Sequence, residues 1–156
     1  MEKTAAAVLQ LAETYRDETA ANLSRLVRLR SPSGGEKEAA AELKRQMEKA
    51  GFDAVRLDGL GSVHGRVGRG RRLIAIDAHI DTVDAGNLAN WSEDPFSGRV
   101  AGGFVHGRGS VDQKGGAAAM VTAGRILKEL GLGREPSVLF TGTVMEEDCD
   151  GLCWKY

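Results

Sequence analysis

Cysteine is nearly absent from this chain. Two residues in 156, Cys149 and Cys153, are too few and too close for the disulfide framework of a small secreted domain. They do not form a C-x-x-C pair and no second pair exists, so they read as buried free thiols rather than soft-metal ligands. With no secretory apolar segment at the N-terminus, a reducing cytoplasm is the expected compartment. An excess of charge is also missing: 21 basic residues stand against 22 acidic ones. Nothing therefore pulls the chain toward nucleic acid or an anionic membrane, and neither is expected as a partner. No apolar run approaches the roughly 20 residues of a membrane span. Internal repeats and low-complexity tails are absent as well.

What is present suffices for one domain with a real core. Glycine is abundant at 21 residues, concentrated between Gly59 and Gly116, where it implies tight turns and close backbone approach. Leu9, Leu11, Ala12, Tyr15, Leu23, Leu26 and Val27 recur at helical spacing and predict one helix from Thr4 to Arg30. Ser31-Pro32-Ser33-Gly34-Gly35 stops it. A second helix is predicted from Glu36 to Ala50, closed by Gly51. Phe52–Leu57 and Ser62–Val67 alternate like two strands around a glycine-rich turn, and Gly68-Arg69-Gly70-Arg71-Arg72 reads as an exposed basic turn. A strand follows at Leu73–Asp81. Thr82–Ser97 is a long polar loop, whose Trp91 and Phe96 are expected to pin it to the core. A hairpin around Gly102-Gly103, a helix at Ala117–Leu130 and a buried strand at Ser137–Met145 complete the pattern. This is an α/β layered fold with a partly parallel sheet, in which ligands collect at the carboxyl ends of strands.

Both acidic clusters fall at such ends. Leu73-Ile74-Ala75-Ile76 begins like a strand buried on both faces, then presents Asp77, His79 and Asp81. At alternate positions all three share a face of an extended chain. Burying them uncompensated is costly, and a bound cation is the simplest reason to do so. Asp112 precedes a helix and suits an N-cap or a carboxylate bridging two cations. Gly107-x-Gly109-x-x is followed by Asp112 instead of glycine, so the dinucleotide fingerprint fails and a pyrophosphate would be repelled. Glu146, Glu147, Asp148 and Asp150 follow the second strand. A solvated loop explains Asp148 and Asp150. Glu146 and Glu147 at the strand's exit suit one metal ligand and one general base. The calcium-hand pattern is missing. His64 and His106 lack an acidic neighbour and read as structural.

Three motifs, in this order, carry a resemblance. They are His79-Ile80-Asp81-Thr82-Val83, Gly107-Arg108-Gly109-Ser110-Val111-Asp112-Gln113-Lys114-Gly115-Gly116, and Glu146-Glu147. The chain resembles the zinc-dependent exopeptidase and deacylase family of carboxypeptidase G, acetylornithine deacetylase, succinyl-diaminopimelate desuccinylase and aminoacylase. Trp91-Ser92-Glu93-Asp94-Pro95-Phe96 and the stretch from Glu146 to Trp154 look most like its subgroup of hydrolases linked to selenium metabolism. The resemblance implies a three-layer zinc-exopeptidase-like catalytic domain with a largely parallel mixed sheet. It implies His79 on one zinc, Glu147 on the other and Asp112 bridging them, with Asp81 orienting His79 and Glu146 as general base. Such ligands also admit cobalt or manganese.

By the same resemblance, family members are more than twice this long. They insert a lid or dimerisation domain and take a further acidic ligand and a further histidine from later in the chain. Residues 1–156 are thus expected to be the N-terminal portion of a catalytic domain, truncated, whose full-length form can be a homodimer. The implied activity is metal-dependent hydrolysis of amide bonds in a small peptide-like or N-acyl substrate, with the isolated chain inactive. The alternative is a non-catalytic metal-binding or assembly fragment that pairs with another chain through its unfinished sheet edge.

Overall fold

The computed structural model describes residues 2–148 and 151–156. The predicted first helix is two: α1 (Glu2–Thr14) and α2 (Arg16–Val27). They part at Tyr15, whose φ of −93° and ψ of 4° leave the helical range. The apolar spacing continues through the break, so the sequence does not reveal it. The cause is tertiary: the Tyr15 hydroxyl donates to Glu129, and the Arg125 guanidinium stacks over its ring at 4.0 Å.

Helix α3 (Lys37–Lys49) buries Ala39, Ala40, Leu43 and Met47. Gly51, at φ +80°, ends it in the left-handed conformation glycine tolerates. A hairpin follows, β1 (Ala54–Leu57) and β2 (Val63–Val67), then β3 (Leu73–His79). The loop from Thr82 contains one short 3₁₀ turn, Leu88–Asn90, and leads to the small hairpin β4 (Val100–Ala101) and β5 (Phe104–Val105). Helix α4 (Lys114–Glu129), strand β6 (Ser137–Thr143) and the short α5 (Leu152–Lys155) complete the order. Helix α4 starts three residues before its predicted start, through Gly115 and Gly116. Glycine is a poor helix former, but a Cβ on Gly116 would lie 3.3 Å from that of Ala78. The helix comes that close to β3 because there is no side chain.

The main sheet has the order β1-β2-β6-β3. It is mixed, as expected, but only β3–β6 is parallel; β1–β2 and β2–β6 are antiparallel. The hairpin connection between β1 and β2 dictates the first antiparallel pair. Helices α3 and α4 cover one face, where Leu43, Met47, Phe52, Val63, Ala117, Val121, Val138 and Phe140 form the core. The Phe52 and Phe140 rings meet at 5.3 Å. Among the described residues no helix longer than α5 covers the opposite face, so two of the three expected layers are formed.

Strand β6 is buried, as predicted, at every residue but the half-buried Leu139. Strand β3 is not. Leu73, Ile74 and Ile76 are 52%, 49% and 41% exposed, which corrects the reading of a strand buried on both faces. Among the described residues β3 pairs on one side only, with β6, so it is an edge strand. No helix among the described residues is long and apolar enough to cross a membrane.

Candidate metal centre

The parallel register of β3 on β6 pairs Asp77 with Thr141 and His79 with Thr143. Both strands therefore end side by side, and the residues that leave them share one rim. Asp77 and His79 project to the same face, as alternation requires, but they do different things. The Asp77 carboxylate accepts from the Thr141 and Thr143 hydroxyls. Burial pushes its carboxyl above the usual range while those hydroxyls pull it back. It takes no part in the cluster at the rim.

His79, 4% exposed, has an oxygen against each ring nitrogen. Nδ1 lies 3.1 Å from the Asp81 carbonyl oxygen and 3.4 Å from the Asp81 carboxylate. Nε2 lies 2.9 Å from Asp112 Oδ1 and 3.8 Å from Glu146 Oε2. Glu147 completes the group: one donor atom each from His79, Asp112 and Glu147 lie within 4.8 Å of one another. A neutral imidazole has a single N–H. One of its two close contacts then sets lone pair against lone pair, unless the ring is doubly protonated or a cation lies at Nε2. Burial depresses the His79 imidazolium, but the Asp112 hydrogen bond, the Asp81 carbonyl and the charges of Asp81 and Glu146 outweigh it, and its pKa is raised. One imidazole with the carboxylates of Asp112 and Glu147 is a donor set that fits a divalent cation.

The sequence profile of Peptidase family M20/M25/M40 matches residues 75–154, just over half of the chain and every residue of this cluster. The chain belongs to the M20 family. It is 49% identical to the uncharacterized protein YgeY of Escherichia coli K12 over 149 residues, which is 96% of this chain and 37% of YgeY. It is 40% identical over 102 residues to a succinyl-diaminopimelate desuccinylase of Cereibacter sphaeroides, covering 63% of this chain and 27% of that enzyme. The chain thus spans 37% and 27% of the length of these two curated relatives. The fold is similar to that of the di-peptidase Dug1p of Saccharomyces cerevisiae, with a TM-score of 0.78 at 17% identity over 92% of this chain and 35% of that one. It is also similar to the Bacillus subtilis YXEP protein, a dinuclear metal binding peptidase from the M20 family, with a TM-score of 0.63 at 18% identity over 86% and 37%.

Within this M20 fold the residues singled out in the sequence separate. His79, Asp112 and Glu147 come together, and Glu146 stands beside them. Asp112 is not a helix cap: α4 begins after Gln113 and has no side-chain cap. The Asp112 side chain is 73% exposed and turned to His79. Gly109, at φ +80°, lets the loop that carries Asp112 pack against Thr82, since a Cβ there would lie 2.6 Å from Thr82 Cγ2. Asp81 contacts His79 more closely through its main chain than through its carboxylate. That carboxylate is fully buried, and its Oδ2 accepts from the Ser33 hydroxyl at 2.7 Å and from the Glu147 N–H at 3.0 Å.

Two histidine readings need correction, because both have acidic neighbours in space. His64 Nε2 is 2.8 Å from Asp58 Oδ2, brought there by the β1–β2 turn. His106 Nδ1 is 3.7 Å from Glu93. Neither touches the M20 cluster. The loop aromatics anchor locally: the Trp91 indole donates to Ala85 O, and the Arg30 guanidinium lies 4.4 Å from the centre of the Phe96 ring. Cys153 is a half-buried free thiol. The expectations for Cys149 and Asp150 fall outside the described residues.

The sequence reading missed Ser33, Glu36 and Lys114. Glu36 Oε1 accepts the Met145 N–H at 2.9 Å. Lys114 is 1% exposed and donates to Leu26 O at 3.1 Å and Leu29 O at 2.7 Å. Burial draws its ammonium down to about 8, against the pull of the Asp81 charge. For Lys114 the signal was its place beside Asp112 in the second motif. Ser33 and Glu36 had none, since a helix stop and a helix start account for them equally well.

Proposed function

We propose that this chain is part of a metal-dependent hydrolase that cleaves amide bonds, peptide or N-acyl, in small substrates. The observation that carries the proposal is the convergence of His79, Asp112 and Glu147 to within 4.8 Å. The M20 membership and the desuccinylase and dipeptidase relatives support the reaction class. His79 and Asp112 would hold one zinc ion, and Asp112 and Glu147 a second. When bound, such a pair supplies Lewis acidity toward the scissile carbonyl and lowers the pKa of water.

The chain's own residues have three tasks. Asp81 holds the His79 ring through its carbonyl oxygen, which selects the Nδ1–H tautomer and leaves Nε2 free to ligate. Its carboxylate holds the Glu147 backbone in place. Glu146, half exposed at the mouth of the cluster, takes the proton from the attacking water and delivers it to the leaving nitrogen.

Each zinc would have two protein ligands from this chain, where catalytic zinc usually has three. The chain alone should therefore bind zinc weakly and show no turnover. A second reading, a metal-binding assembly fragment that pairs with another chain, is favoured by one observation, the open apolar edge of β3. Zinc titration with a hydrolysis assay on N-succinyl amines and dipeptides tests both. Zinc binding lost in His79→Ala supports the metal centre; equal binding by wild type and that variant overturns it. Hydrolysis by the purified chain, abolished in Glu146→Ala, would overturn the two-ligand argument and the assembly reading with it.

A further inference from the structure

We infer that the loop between α2 and α3 is a positioning element of the metal centre, acting through Ser33 and Glu36 on the turn that carries Glu146 and Glu147. The inference rests on the metal-centre reading for its functional meaning, but its structural content stands apart from it. The loop is stitched to the end of β3: the Ser31 hydroxyl donates to Ile80 O at 2.8 Å, and the Thr82 N–H donates to Ser31 O at 2.9 Å. It is also linked to the end of β6, once through Asp81 and once directly. Ser33 donates to Asp81 Oδ2, the same oxygen that takes the Glu147 N–H. Glu36 takes the Met145 N–H. Lys114, two residues beyond Asp112, donates to Leu26 O in the last turn of α2 and to Leu29 O at the start of the loop. One loop thus holds all three segments that supply the cluster.

Two features of Glu36 show that this is more than a helix start. It occupies the N-cap position of α3, yet its side chain makes no capping bond there. It reaches across to β6 instead. It is also 5% exposed with no ion pair among the described residues, a costly place for a carboxylate. Met145, its partner, has φ +59°, a conformation that non-glycine residues hold only when their surroundings impose it. The bond from Glu36 falls on the amide of that residue, immediately before the two glutamates.

The test uses the whole chain, with Ser33→Ala, Glu36→Ala, Glu36→Asp and Glu36→Gln. Glu135→Ala serves as control. It too removes a carboxylate that accepts backbone N–H groups, those of Arg71 and Arg72, at the far end of the sheet. Amide exchange of the metal-free protein is followed by NMR, and zinc affinity by competition with a chromophoric chelator. Exchange at Met145 should rise at least about tenfold in Glu36→Ala and Glu36→Asp, and at Glu147 in Ser33→Ala. Zinc affinity should fall about 10–100-fold in Glu36→Ala, as for other residues that orient ligands. Glu36→Gln keeps an acceptor and should restore most of it.

Unchanged exchange at both amides, or equal losses in Glu135→Ala, overturns the inference. If the wild-type chain binds no zinc, the metal centre fails and exchange alone decides the positioning claim. If Glu36→Ala does not fold, Glu36→Asp and Ser33→Ala decide it.

Discussion

The Glu147 N–H donates to Asp81 Oδ2 at 3.0 Å, joining residues 66 apart in the chain. This bond fastens the exit of β6 to the exit of β3. It places a carboxylate that contacts His79 in direct contact with the backbone of a second proposed ligand. Asp81 is fully buried, and its partners Ser33 and Glu147 are half-buried.

Asp81→Ala should therefore cost more than a surface acid. It takes the acceptor from the half-buried Glu147 N–H and Ser33 hydroxyl, at about 1 kcal/mol for each lost hydrogen bond and up to about 3 where the donor is left without water. Urea unfolding should show a loss in that range or above, and zinc affinity should drop about tenfold or more. A change below about 0.5 kcal/mol, the usual scale of a surface substitution, with unaltered zinc binding would remove Asp81 from this role.

Glu146 and Glu147 should divide. Glu147→Gln should weaken zinc binding about tenfold or more, because an amide is a far poorer ligand than a carboxylate. Glu146→Gln should leave it within about twofold, since its task is the proton. Calorimetric titration of both variants distinguishes them; equal losses would make both residues ligands.

The pH dependence follows from His79, whose folded pKa is raised. Stability from its protonated form is fully present below the unfolded value of about 6.5 and is lost as pH rises through the folded value. Zinc competes with that proton, so its affinity should rise over the same interval. Melting curves from pH 5.5 to 8.5 should show metal-free stability falling relative to His79→Asn while the zinc-induced shift grows. Parallel trends would contradict the assignment.

Lys114 has the opposite sign. Its folded pKa, about 8, lies below the ordinary lysine value of 10.5. Between those values the unfolded chain binds more protons, so stability rises with pH through that window. Relative to Lys114→Met, wild type should gain on the order of 2–4 kcal/mol from pH 8 to 10.5, at 1.36 kcal/mol per unit. A flat difference would mean that the two carbonyl contacts hold the ammonium charged.

The open edge of β3 should promote self-association, because an unpaired apolar strand is a template for another. Light scattering should show concentration-dependent assembly of the isolated chain, reduced in Leu73→Lys and Ile74→Lys. A monomer at all concentrations would indicate that the edge is blunted by other means.

Much of this was legible in the sequence. Helical periodicity marked α3 and most of α4, and alternation marked the β1–β2 hairpin. The change from apolar to acidic at the ends of β3 and β6 marked the rim, because few neutral arrangements tolerate such a change. The break at Tyr15 was illegible, since it answers to Arg125 and Glu129 on a helix more than a hundred residues away. The exposure of β3 was also hidden, because Leu73-Ile74-Ala75-Ile76 reads the same in a central strand and at an edge.

The order of the motifs, and the kind of side chain at each, were set by the amino acids themselves. They establish that imidazole and carboxylate must leave strands at the sheet's carboxyl ends. Tertiary structure alone decided which of them meet. The parallel register sets His79 opposite Thr143, the turn at Met145 swings Glu147 inward, and a loop of serines and one glutamate clamps both strand exits. Those bonds join segments far apart in the chain, and their partners are short polar side chains whose local chemistry is equally that of a turn or a cap.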